Sequence, residues 1–228
     1  MTRKGALHMY DLMINNKSFY TDYGLILTEV KIATPTPKRI TVNIQGADGL
    51  LELTPEPLRY SNRSLDFVFR KGTNDFTEWE SISARMLADV NGYHDDITIR
   101  EIGGTSPKWH WKGSVTVSGI KITPHIGTFS VKVDAYPYQL SDVNTVSRTI
   151  GTGWNNISIT NEGSKPITEL IVTNSNEVQL KYSDTTVTIS AGTHSVYAFS
   201  LPQGENIIQA KATSSGTSIS VSWTEERL

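Results

Sequence analysis

The sequence predicts a mainly β chain in two domains, a sheet covered by one helix and then a β-sandwich. Three observations predict it. Short apolar–polar alternations recur between Gly, Asn and Asp clusters, one stretch alone carries a helical period, and the composition turns towards Ser and Thr after Tyr138.

The elements follow in order. Ile40-Thr41-Val42-Asn43-Ile44 alternates and is β-branched, as a half-buried strand should be. Gly46-Ala47-Asp48-Gly49 supplies turn residues and Leu50 to Thr54 resumes the extended pattern, which together predict a hairpin. Leu65, Phe67 and Phe69 fall on one face of a strand over Ser64 to Arg70. Further strands are expected at Ile97 to Ile102, Trp109 to Ile122 and Thr128 to Ala135.

One helix is expected over Asp75 to Val90. Phe76, Trp79, Ile82, Ser83, Met86, Leu87 and Val90 recur at three- and four-residue steps and form one stripe. Asn74 or Asp75 can cap the first turn, Asp75 and Glu78 suit the positive end of the dipole, and Gly92 suits a left-handed cap after Asn91. A single helix on one face of an antiparallel sheet is the simplest way to bury both.

Gln139 to Asn144 is short and polar and is expected to be a linker. Residues 148–228 hold 24 Ser or Thr out of 81 with no helical period, a texture that suits exposed strands. Strands are expected at Trp154–Asn161, Thr168–Asn174, Glu177–Tyr182, Thr185–Ile189, His194–Phe199, Glu205–Ala212 and Ser218–Thr224. Short strands at this spacing predict a sandwich.

Composition excludes several functions. The 228 residues are 37% apolar and 19% charged, which is ordinary for a globular chain. Residues 1–140 carry 16 Lys/Arg against 15 Asp/Glu, and the remainder 5 against 8, so neither part has the basic footprint of a nucleic-acid binder. There is no cysteine, hence no disulfide and no thiolate metal site. No apolar stretch approaches the roughly 18 residues of a membrane helix, so membrane insertion is not expected. Met1 to His8 has basic residues without a long apolar region behind them, unlike a signal peptide; Met9 is an alternative start.

Candidate chemistry is sparse. Of five histidines (His8, His94, His110, His125, His194), His94 alone has local ligand-like neighbours, Asp95 and Asp96. Adjacent strand residues point to opposite faces, so the three read as a solvated turn before the Ile97 strand. Asp48, Glu52, Glu56 and Asp66 sit in or beside strands and turns, where solubility explains them. No G-x-S-x-G elbow occurs, and Gly46 and Gly49 open no phosphate loop, since no Lys-Ser/Thr follows. No catalytic residue, metal site or cofactor is therefore assigned. Trp109 and Trp111 share a strand face. In the second half Trp154, Tyr182, Tyr197 and Trp223 read as core or interface, or else as a carbohydrate-stacking set of Trp154, Tyr182 and Trp223.

In their order these motifs resemble the distal tail protein (Dit) family of phages with long, non-contractile tails or related prophages. The resemblance rests on the turn Gly46-Ala47-Asp48-Gly49, on Tyr60-Ser61-Asn62-Arg63, on the helix with Trp79 ending at Asn91-Gly92, and on Phe129 to Tyr138 with its closing Pro137-Tyr138. In the second half it rests on Asn161 to Pro166, Leu201 to Ile208 and Val221-Ser222-Trp223.

The resemblance implies a β-sandwich or split-barrel-like ring-forming domain over 1–140 and a galectin-like β-sandwich over 141–228. It implies a homo-hexameric ring at the virion tail tip, assembled in the bacterial host cytoplasm. That ring would sit between the tail tube protein and the tail-tip or baseplate proteins, with receptor-binding proteins as further partners, and DNA would pass its channel without specific binding. After residue 148 there is no room for a long inserted arm or an extra carbohydrate-binding module, which favours a plain hub. A ring subunit needs an exposed edge for its neighbour, and the hairpin with Val42, Ile44, Gly46, Asp48, Gly49 and Leu51 is the expected contact. The alternative expectation is a carbohydrate-binding adhesin that contacts the host cell wall.

Overall fold

The computed structural model describes residues 9–46, 48–54, 58–72, 75–118, 121–123 and 126–228. His8, Ala47, Glu56, Asn74 and His125 lie outside the described residues. The chain divides into two compact units between Pro137 and Tyr138.

The first unit opens with β1 (Tyr10–Ile14) and β2 (Lys17–Ser18), joined by Asn15 and Asn16 at φ of 45° and 66°. Asn is the non-glycine residue that best tolerates this region, so two of them make a tight reversal. A five-residue helix, α1 (Phe19–Tyr23), follows at once. The Thr21 amide donates to Ser18 Oγ at 2.8 Å and the Ser18 amide to Asp22 Oδ2 at 2.7 Å, closing a reciprocal cap. Buried Asp11 accepts from Ser18 Oγ and the Tyr20 amide, fixing α1 against β1. At five residues α1 is too short for its period to register, so the expected single helix becomes two among the described residues.

Next come β3 (Ile26–Ile32), β4 (Thr41–Asn43), β5 (Leu50–Glu52), β6 (Arg63–Lys71), α2 (Phe76–Val90), β7 (Gly92–Glu101), β8 (Trp109–Val117), β9 (Lys121–Thr123) and β10 (Ile126–Ala135). The main sheet runs β2-β1-β7-β8-β10-β6-β3, with β9 on β10, and its strand pairs are antiparallel. It curls until β1 approaches β3 without pairing to it, a split barrel.

The core lies inside the curl. Leu65, Phe67 and Phe69 of β6 face Val133, Val131 and Phe129 of β10 across an unbroken ladder from Arg63↔Ala135 to Lys71↔Gly127. Phe19 stacks on Phe69 at 4.7 Å between centroids, and Trp79 of α2 meets Phe129 at 5.4 Å. Each fully buried large apolar side chain contributes about 1.5–3 kcal/mol.

Asp75 caps α2, accepting from the Thr77 amide at 2.9 Å. The buried stripe is narrower than its period predicts: Trp79, Ile82, Met86 and Val90 are buried, while Phe76 and Leu87 face solvent. Nor does α2 end in a left-handed cap. Asn91 is extended and Gly92, at φ +125°, already begins β7. His94, Asp95 and Asp96 therefore lie within a strand and not in a turn, at a register shift between His94 and Ile97. The strand expected over Trp109 to Ile122 is two, β8 and β9.

In the second unit, β11 (Gln139–Ser141) corrects the expected linker. It pairs with β20 (Glu226–Arg227), and Ser141 Oγ accepts the Glu225 amide at 2.9 Å. Between them run β12 (Asn144–Ile150), β13 (Asn155–Asn161), β14 (Leu170–Asn174), β15 (Val178–Tyr182), β16 (Thr185–Ile189), β17 (Gly192–Val196), β18 (Gly204–Ala212) and β19 (Thr217–Trp223). Two four-stranded sheets, β12-β19-β14-β17 and β13-β18-β15-β16, enclose one core that includes Ile159, Val172, Leu180, Ile208 and Val221.

The motifs Asn161 to Pro166 and Leu201 to Ile208 are held by buried asparagines. Asn161 donates to the Lys165 and Leu201 carbonyls and accepts the Gly163 amide. Asn206 donates to the Pro202 carbonyl and accepts the Tyr182 hydroxyl. Removing such a side chain leaves buried backbone groups unpaired, at about 1–3 kcal/mol.

Two substitutions test this packing. At Gly127 a Cβ would overlap the Trp79 ring, so Gly127→Val should cost about 1–3 kcal/mol by strain and move the near-UV tryptophan signal of the first unit. Asn161→Ala should destabilise the second unit by about 1–3 kcal/mol in denaturant melts while leaving that signal in place.

Candidate functional site

The first unit leaves one edge unsealed. β3 is the last strand of the sheet, and most of its side chains are exposed. Val30 pairs with Phe67 and Ile32 with Leu65, so both sit on the core-facing side of the sheet. They are nonetheless 40% and 43% exposed. The apolar inner face thus runs past the point where the core covers it. A β-bulge between Leu27 and Glu29 and the charges of Glu29 and Lys31 are the usual protections of such an edge.

Beyond Ile32 the two paired strands continue as an arm. The Ala33 amide donates to the Ser64 carbonyl at 2.9 Å, Ser61 to Thr36 at 2.9 Å and Lys38 to Arg59 at 2.8 Å, with a bridge between Pro37 and Tyr60. β4 and β5 extend it through Thr41↔Glu52, Val42↔Leu51 and Asn43↔Leu50. The expectation of a half-buried strand at Ile40–Ile44 fails here. Among the described residues no third strand covers the hairpin, and β4 and β5 are exposed on both faces.

Its exposed residues are not polar. Ile40, Val42, Ile44, Leu50, Leu51 and Leu53 all face solvent, Leu50 at 65% exposure. A two-stranded hairpin is marginal in water, and clustered exposed apolar side chains mark a surface awaiting cover. The Arg39–Glu52 pair at 3.8 Å is exposed and adds at most about 1 kcal/mol. Of the expected contact residues, Val42 and Leu51 face each other as a cross-strand pair. Ile44, Gly46, Asp48 and Gly49 lie in the connection, where Gly46 and Gly49 take φ of +87° and +89°. A Cβ at either glycine would meet nothing, so backbone conformation and not space selects glycine.

The Tyr60 to Arg63 motif anchors the arm's root. Asn62 donates to Asp134 Oδ2 at 3.3 Å, and buried Arg63 donates from Nη2 to the Pro137 carbonyl. Two motifs far apart in sequence thereby tie the start of β6 to the end of β10. Burial lowers the Arg63 pKa from its usual value. Sequence reasoning missed Ile26, Val30 and Ile32 as edge residues, because their even spacing suits any strand face and only the pairing of the sheet places β3 at its edge.

The chemical candidates do not converge. His94 Nε2 donates to the Val90 carbonyl at 2.9 Å and Nδ1 accepts from Asn15 Nδ2 at 3.0 Å, which occupies both ring nitrogens. Among the described residues no group of three metal-ligating side chains forms. Glu52 is occupied by Arg39 and Thr54, and Asp66 by Ser64.

The stacking set also comes apart. Trp154 is exposed, but Trp223 belongs to the sandwich core at 7% exposure. Tyr182 packs edge-on against Phe199 with its hydroxyl on Asn206. Stacking on a sugar needs exposed ring faces, and of these three Trp154 is exposed, Tyr182 half-buried and Trp223 buried.

No family model matches the chain, and no curated protein matches it. Among solved structures it is similar to the Dit protein of phage SPP1, described as a paradigm of the hub adsorption apparatus in phages that infect Gram-positive hosts. The identity is 15% and the TM-score 0.65, over 96% of this chain and 99% of that one. The chain therefore has a Dit-like fold along nearly its whole length.

Because no other described strand or helix covers the arm, its amides should exchange readily in the isolated chain. Hydrogen exchange should show β4 and β5 at least about 100-fold less protected than the β6–β10 ladder, by mass spectrometry of the corresponding peptides.

Proposed function

We propose that the chain is the hub protein of a phage tail tip. The observation that carries this reading is the whole-chain likeness to a tail hub protein, at a TM-score of 0.65. The uncovered β3 edge and the arm support it, since a ring subunit must present apolar surface that its neighbour buries.

In this reading the region 1–140 forms a homo-hexameric ring, and the region 141–228 is a galectin-like sandwich carried by it. The ring joins the tail tube protein to the tail-tip or baseplate proteins, and receptor-binding proteins dock further out. DNA passes through the channel without specific contacts, which agrees with the near-balanced charge of residues 1–140, 16 Lys/Arg against 15 Asp/Glu. The protein works structurally and not as an enzyme, in the virion tail tip after assembly in the host cytoplasm. Val42, Ile44 and Leu51 of the arm, with Val30 and Ile32 of the edge, make the contacts between neighbours.

Light scattering with negative-stain imaging tests this. The expected result is a six-membered ring, formed alone or on adding tail-tube and tip partners. Val42→Asp with Leu51→Asp should weaken association at least about 10-fold, while protomer stability stays within about 0.5 kcal/mol because both positions are exposed. A strict monomer at high concentration, with and without those partners, would overturn the reading.

A further inference from the structure

One end of the β12-β19-β14-β17 sheet carries apolar side chains in contact with water. Val143, Ile171 and Tyr197 are 67%, 43% and 67% exposed. Strand pairing brings them to the same end. Ile171 lies opposite Ser222, Tyr197 follows the Leu170↔Val196 pair, and Val143 precedes the Asn144↔Trp223 pair. Their neighbours Leu170, Val196 and, across the ladder, Trp223 are the buried ones, so these three turn away from the sandwich core.

Val143 and Ile171 flank a pocket of about 180 Å³, whose wall includes Pro166, Ile167 and Trp223. Ile167 and Trp223 belong to the sandwich core, so the pocket reaches the edge of that core. The Trp223 indole is 7% exposed, and among the described residues its Nε1–H has no acceptor. Buried donors are normally paired. Cofactor and drug-sized sites occupy about 300–1,000 Å³. This pocket is too small for those and suits one large side chain.

The rim is acidic. Lys165 and Glu226 line the pocket as an ion pair at 2.6 Å, and Arg227 donates from Nε to Gln139 Oε1 at 2.8 Å. Glu169, also in the lining, accepts from the Tyr197 hydroxyl at 2.7 Å. That donor is neutral, and among the described residues no cation pairs with Glu169, so a carboxylate charge stands at the rim. Asp142 places a second carboxylate next to Val143 in the chain.

We propose that this pocket docks a segment of a partner protein that presents one large apolar side chain between Lys or Arg residues. The apolar side chain fills the pocket and takes Val143 and Ile171 out of water, as an anchor residue does at an interface centre. The flanking cations meet Glu169 and Asp142, and the same carboxylates repel an acidic segment. A backbone carbonyl of the segment supplies the acceptor that Trp223 Nε1 lacks. The inference goes beyond the hub reading and does not depend on it, since every residue it uses lies within 138–228.

Proton–nitrogen NMR of the full chain tests the proposal through the indole N–H signals of its five tryptophans, that of Trp223 being assigned through the backbone of β19. The probes are the capped peptides Lys-Phe-Lys, Lys-Ser-Lys and Glu-Phe-Glu at up to about 10 mM, a range suited to weak sites. The expected result is a saturable shift of the Trp223 signal with Lys-Phe-Lys, and binding at least about 10-fold weaker for the other two. Ile171→Ser should abolish the shift, and Glu169→Gln should narrow the preference for Lys-Phe-Lys over Glu-Phe-Glu. Both positions are exposed, so both variants should fold, which melting curves check. Ile207→Ser, exposed on the opposite sheet, should leave the shift unchanged. No shift with Lys-Phe-Lys, equal shifts with all three peptides, or a shift that survives Ile171→Ser would overturn the proposal.

Discussion

The pairing of β6 with β10 is the constraint on which the first unit depends. Its ladder from Arg63↔Ala135 to Lys71↔Gly127 fixes a register in which Leu65, Phe67, Phe69, Phe129, Val131 and Val133 all face inward. A slip of one residue would turn every one of them to solvent. Phe19, Trp79 and the α2 stripe then have a surface to pack against, and Arg63 closes the end of the ladder by reaching the Pro137 carbonyl.

The same strand also creates the exposed surface. β6 carries β3 on its free side, and the inner apolar face extends onto Val30 and Ile32 without a layer to cover them. The two strands then leave the sheet as the arm. Core and candidate interface are thus one apolar face, covered over part of its width and open over the rest. Among the described residues this face leaves apolar area in contact with water.

The second unit solves burial differently. Two sheets cover each other completely, so its outward faces are free to vary. One carries charges and the other carries rows of paired hydroxyls. The tight turns between its strands are held from inside by Asn161, Asn174 and Asn206, whose amides replace the water that buried turn backbone would otherwise need.

The sequence by itself determined the mainly β class, the long helix with its Asp75 cap, and the strands around Leu65 to Phe69 and Phe129 to Ala135. Local periodicity and cap chemistry are enough for these, because they record which face is buried. The hairpin turn was legible too, since Gly46 and Gly49 mark positive φ. The tertiary structure alone decided which alternating runs are covered. Ile40 to Ile44 and Ser64 to Arg70 read alike, yet the first is bare and the second is core, because burial depends on what packs opposite and not on the run itself. It alone showed that Trp223 is interior, that β11 is pinned by the distant β20, and that Val30 and Ile32 face inward but remain uncovered. Each of these depends on residues far away in the chain, which no local pattern encodes.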